Sequence, residues 1–206
     1  MSDIPSIPDG NAVDQGRRTW VAMTAGVGAL GTVAVAVPFV ASIMPSERAK
    51  AAGAAVEADI GALQPGEKMT VEWRGKPVWV VRRTPEQLAA LPKVDPLLAD
   101  PKSARKPDEL TPPYARNEYR SIKPEYFVTV GICSHLGCSP SDKFTPGAQP
   151  SLPDDWSGGF LCPCHGSTFD MAGRVYKNKP APDNLEVPPH MYLSDTRLII
   201  GEDKKA

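Results

Sequence analysis

The sequence predicts a two-part molecule: one membrane-spanning α-helix near the N-terminus, followed by a mostly-β domain outside the bilayer. Three observations carry this. Thr19 to Ser46 is a run of 28 residues without an ionisable side chain. Proline supplies 23 of 206 residues, roughly twice average usage, which disfavours a helical bundle and suits a loop-rich β body. All four cysteines fall between Cys133 and Cys164, as parts of one site rather than scattered core thiols. The formal net charge is -1 and no basic stripe is interleaved with aromatics, so the chain shows no nucleic-acid footprint.

The apolar centre of the first part, Val21 to Met44, would reach about 36 Å as a helix, against about 30 Å of hydrocarbon. A soluble helix apolar on every face would need a larger protein to cover it. Pro38 is expected to bend the helix near its C-terminal end. Arg17 and Arg18 precede the span as a twin-arginine pair, a signal for bacterial export of folded proteins and also an ordinary cytoplasmic anchor. Arg48 and Lys50 balance them on the other side, so charge alone does not orient the span. A cofactor inserted before export requires the folded route, and no small-residue cleavage site follows the span. The expectation is a cytoplasmic N-terminus with its twin-arginine signal over 1–18, an uncleaved anchor over 19–45, and a periplasmic remainder. Residues 46–66 are small and polar, with Gly53 interrupting an alanine-rich stretch, and read as a flexible tether.

Residues 67–206 form the outer domain. Lys68 to Trp73 alternates polar and apolar residues, "RGK" offers a turn, and Pro77 to Arg83 returns as a second strand. Thr84 then caps a helix with Pro85 at its first position and Gln87 closing a capping box. Leu91 to Pro124 is dense in prolines and charges and reads as a surface excursion with little regular structure. Glu125 to Val130 and Gly158 to Leu161 regain strand character, each just before a cysteine cluster. Two strands hydrogen-bonded to each other would hold the two clusters side by side. Residues 190–202 read as a closing hairpin about Ser194 to Thr196. His190, Arg82 and Arg83 read as solvated side chains, Trp156 and Tyr176 as packing.

The chemistry lies in "CSHLGC" and "CPCHGS", which supply Cys133, His135 and Cys138, then Cys162, Cys164 and His165. A structural zinc would use four of the six and leave two cysteines idle. Disulfides alone would leave the histidines unexplained, and a catalytic cysteine would be exposed to oxidation by its neighbours. A [2Fe–2S] cluster of mixed thiolate and imidazole ligation accommodates the whole set.

Both motifs resemble the paired signature of Rieske iron–sulfur proteins, C-[TS]-H-L-G-C with C-P-C-H-G-S. The resemblance implies an antiparallel β-sandwich with a cluster-binding subdomain, its loops lying over about 131–183. It implies that Cys133 and Cys162 bind one iron of the [2Fe–2S] cluster, that His135 and His165 bind the other, and that Cys138 and Cys164 form a disulfide. Ser167 would donate a hydrogen bond to a cluster sulfur. The extra cysteines, the anchor, the tether and "PAP" at Pro180 to Pro182 make the chain similar to the iron–sulfur subunits of cytochrome bc1 complexes. That family, a quinol–cytochrome c reductase subunit and membrane translocase, implies cytochrome b, cytochrome c1 and ubiquinol as partners in a dimeric complex at the bacterial inner membrane. His165 would hydrogen-bond the quinol and take its proton, Leu136 would stand at the docking tip, and residues 180–182 would cover the cluster. The small Rieske subunit of a periplasmic oxidase of the arsenite-oxidase type is the alternative.

Two positions depart from the family pattern. Lys179 stands where a glycine often precedes "PAP", and Phe169 stands where many members have a tyrosine whose hydroxyl donates to a ligand sulfur. Hydrogen bonds to sulfur favour the reduced state, so Phe169 implies a lower midpoint potential than in tyrosine-bearing relatives.

Overall fold

The computed structural model describes residues 14–46 and 53–203, which belong to two compact units divided after residue 49. Residues 1–13 of the expected cytoplasmic segment over 1–18, and residues 47–52 of the expected tether, lie outside the described residues.

The first unit is helix α1, Gln15–Ile43. Asp14 caps it, its carboxylate accepting from the backbone N–H groups of Gly16 and Arg17 at 3.0 and 3.2 Å. The helix starts ahead of the expected residue 19, taking Arg17 and Arg18 into its first turn. An 18-residue window reaches mean hydropathy 1.9, so this helix is long and apolar enough to cross a membrane. Thr19, Thr32 and Ser42 donate their hydroxyls to carbonyls of the preceding turn at 2.9, 2.9 and 2.7 Å, which keeps these donors satisfied inside the helix as hydrocarbon demands.

Among the described residues, the second unit contains three antiparallel sheets, ordered β1-β9-β8, β2-β3-β4 and β5-β6-β7. Their strands are β1 Val56–Asp59, β2 Lys68–Trp73, β3 Lys76–Arg82, β4 Tyr126–Val130, β5 Ser141–Lys143, β6 Gly159–Leu161, β7 Thr168–Asp170, β8 His190–Tyr192 and β9 Arg197–Ile200. The β2–β3 hairpin closes through Arg74 and Gly75 with φ of 52° and 70°, the two positive values a twist-matched two-residue turn requires. Sheet β2-β3-β4 is the wall between two apolar cores. Val78, Val80, Val128 and Val130 face one core with Ile60, Leu198 and Ile200; Trp79, Val81 and Phe127 face the other, with Phe160 and Phe169. Coverage on both faces explains why the apolar positions of β3 and β4 form nearly unbroken runs rather than an alternation.

Four expectations change here. β1 cuts the expected tether short, because Ala58 and Ile60 are buried and β1 pairs Val56–Asp59 against Ile200–Arg197 of β9. Beyond the capped helix α2, Pro85–Val94, the 91–124 stretch is not a surface excursion: Leu98, Thr111, Ala115, Arg120 and Ser121 are all buried. His190 and Arg83 are buried rather than solvated, and Arg82 reaches in to donate to the Leu63 carbonyl at 2.7 Å. Finally, β4 and β6, which lead into the two cysteine clusters, lie in different sheets.

Candidate metal centre

A ladder and a side chain bring the two loops together: β5, which follows the first loop, pairs with β6, which leads into the second, with Ser141 opposite Leu161. The Trp79 ring stacks on Phe160 of β6 with centroids 5.2 Å apart. It also lies against Gly131, directly before the first loop, where a Cβ would come within 2.3 Å of the indole. β4 and β6 are thereby fixed about one indole, and each loop springs from its strand's end.

The loops share a backbone plan. Gly137 donates to the Cys133 carbonyl at 3.1 Å and Gly166 to the Cys162 carbonyl at 3.0 Å. Cys133 donates to the Cys138 carbonyl and Cys162 to the Ser167 carbonyl, both at 2.8 Å. Gly137 and Gly166 occupy equivalent corners with φ of 83° and 74°, in the left-handed region that favours glycine. The chemistry differs on the common frame: His135 stands two residues after its cysteine, whereas in the second loop that place belongs to Cys164 and the histidine follows it.

The expected site residues come together in three pairs. Cys133 and Cys162 are free thiols, both 2% exposed, in the same apolar core as Phe127, Phe160 and Phe169. His135, half-buried, and His165, exposed, meet edge-on with ring centroids 4.8 Å apart. Cys138 and Cys164 form a disulfide that joins the loops. The sulfurs of Cys138, Cys162 and Cys164 lie within 4.8 Å of one another, but the disulfide removes two of them as thiolate ligands. Burial pushes the Cys133 thiol up, and the adjacent Cys162 thiol adds to this; the His135 backbone N–H and the Ser167 hydroxyl pull it down. Those two donors already address the sulfur as they would a metal-bound thiolate. Two inward thiols beside two outward imidazoles fit a cluster whose irons have unlike ligand pairs.

A third segment braces both loops. Ser167 accepts from the Ala181 N–H at 2.9 Å, and Ser134 donates to the Asp183 carbonyl at 2.6 Å. The Asp183 N–H also donates back to Ser134 at 3.3 Å, so residues 181–183 fasten to the first loop twice and to the second once. Lys106 pairs with the Asp183 carboxylate at 2.8 Å. Leu136 stands 71% exposed at the tip.

Sequence reasoning missed several supporting residues. Trp79 carried only a strand signal. Arg83, Arg120 and Arg174, all at most 2% exposed, converge on residues 170–173, and charged residues in a polar stretch give no sign of burial.

Residues 116–189 match the model of the Rieske [2Fe-2S] domain family. The chain is 59% identical over 189 residues to the ubiquinol-cytochrome c reductase iron-sulfur subunit of Allochromatium vinosum, covering 91% of this chain and 89% of that one. It is 38% identical to the subunit of the same description from Rhodospirillum rubrum, over 86% and 87% of the two chains. A chain in a solved hyperthermophilic respiratory Complex III is 26% identical with a TM-score of 0.45, over 85% of this chain and 98% of that chain. The curated relatives favour a quinol–cytochrome c reductase over the arsenite-oxidase alternative. The protein belongs to the Rieske iron–sulfur subunits of ubiquinol–cytochrome c reductase, a family whose domain carries a [2Fe–2S] cluster.

Proposed function

We propose that Cys133 and Cys162 hold one iron through their sulfurs and that His135 and His165 hold the other through one ring nitrogen each. The pairing of two buried thiols with two outward imidazoles beside a disulfide carries this reading. When bound, the cluster supplies one-electron redox chemistry. The chain's residues do the rest. His165, the exposed imidazole, binds the quinol hydroxyl and takes its proton on the ring nitrogen left free of metal. The exposed Leu136 offers an apolar contact that excludes water around the quinol. Ser167 orients its hydroxyl toward the sulfur side, held by the Ala181 N–H.

The partners in this reading are ubiquinol, cytochrome b and cytochrome c1, with the complex a dimer. α1 anchors the chain with its N-terminus in the cytoplasm and the second unit in the periplasm. The tether is the chain between Ile43 and Val56, and the cluster domain begins at β1. Affinity purification of the tagged full chain from its own membranes tests this. We expect b- and c-type haem to co-purify, together with a reduced-state paramagnetic resonance signal of average g below the free-electron value. Cys133→Ser should abolish that signal. A molybdenum protein in place of the haems would refute the assignment.

A further inference from the structure

Three guanidinium groups lie inside the core around residues 170–173. Arg83 donates to the Met171 carbonyl at 3.2 Å and to Ser121 at 2.6 Å. Arg120 donates to the Ala172 carbonyl at 2.9 Å and the Leu185 carbonyl at 2.7 Å. Arg174 alone touches carboxylates, Asp170 at 2.7 Å and the half-exposed Asp95 at 2.7 Å. Among the described residues, Arg83 and Arg120 donate to carbonyl and hydroxyl oxygens and make no ion pair, and the Arg120 Nε is buried without a partner. Their charges therefore have no direct counter-ion, and Asp170 acts on both only from beyond contact distance. Burial pushes Arg83 down to about 9 and Arg120 to about 10, so both remain cationic at neutral pH.

The loop these groups hold is continuous with the redox site. Met171 and Ala172 share one apolar core with Cys133 and Cys162, and β7 links Ser167 directly to Asp170. Each of the three buried carboxylates is engaged elsewhere: Asp170 with Arg174, Asp183 with Lys106, and Asp100 with the N–H groups of Ala104 and Arg105. Reduction adds one negative charge to the site, and positive charge held in a medium of low dielectric favours that form. We propose that Arg83 and Arg120 are positioning residues with an electrostatic role: their unpaired buried charges raise the reduction potential of the cluster.

This rests on Cys133, His135, Cys162 and His165 being its ligands. The test is a potentiometric titration of the whole complex, read by paramagnetic resonance, for Arg83→Gln and Arg83→Lys. Arg83→Gln should make reduction roughly tenfold less favourable, a fall of about 59 mV for a one-electron couple, with the g-values unchanged. Arg83→Lys should restore the parent value, because it keeps the charge while losing the fork. An unchanged midpoint in Arg83→Gln, or an equal fall in Arg83→Lys, overturns the proposal. If Arg83→Gln assembles no cluster, Asp95→Asn decides, since removing that half-exposed negative charge must raise the midpoint; an unmoved midpoint overturns the proposal. A parent complex without the signal would refute the ligand assignment instead.

Discussion

Phe169 is fully buried in the core that contains both free thiols, at the position where the family pattern often offers a hydroxyl. Phe169→Tyr should raise the midpoint potential, and a redox titration beside the parent checks it; an equal midpoint would remove the hydrogen-bond argument. His190 controls a different property. Its Nδ1 lies 2.8 Å from the Pro188 carbonyl, to which it must donate, while Nε2 is buried with no partner among the described residues. Burial pushes this imidazole below its ordinary value, against smaller upward pulls from Pro188 and Asp203. Between that lowered value and about 6.5 the unfolded chain binds more protons than the folded one. Stability is therefore complete above about pH 6.5 and declines as pH falls through the window. His190→Asn keeps a donor for Pro188 but does not titrate, so urea midpoints at pH 5 and pH 7 should lie closer together than in the parent.

At the scale of elements, the helix cap was fully legible: Thr84 accepts from the Gln87 N–H at 3.3 Å while the Gln87 side chain accepts from the Thr84 N–H at 2.9 Å. Thr84→Ala should cost about 1 kcal/mol, read as a lower urea midpoint at constant slope. β2 was legible from its alternation, β3 and β4 from their nearly unbroken apolar runs, and β8 and β9 as the two arms of a closing hairpin. β5 and β7, three residues each, were not, since their pairing is decided by neighbours and turns rather than by periodicity. The buried part of 91–124 was hidden for another reason. Its burial is maintained by Arg83, Arg120 and Arg174 bonding carbonyls distant in sequence, and a proline-rich polar stretch looks the same whether such partners exist or not. The six Cys and His residues stood out in two short motifs, and their disulfide partnership followed from family resemblance. Replacing Cys138 and Cys164 together by serine removes a cross-link between residues 26 apart and should cost about 2–4 kcal/mol. Thermal unfolding of the intact complex, followed by the cluster's visible absorption, measures this as an earlier loss of colour.

At the scale of the molecule, the two-unit organisation was readable from hydropathy, whereas the exact seam was not, because β1 is a four-residue strand in an alanine-rich stretch. Sodium carbonate extraction should leave the full chain with the membrane and release a fragment beginning at residue 53. The seam has a mechanical consequence. β1 enters the second unit as an edge strand whose only ladder among the described residues, Val56–Asp59 on Ile200–Arg197, runs antiparallel to β9. A pull along β1 from its N-terminal end loads these rungs together in shear instead of opening them one by one. The ladder thereby acts as a latch: tension along β1 is shared by all four of its residue pairs, and the sheet stays closed under a load that would open a strand peeled from its end.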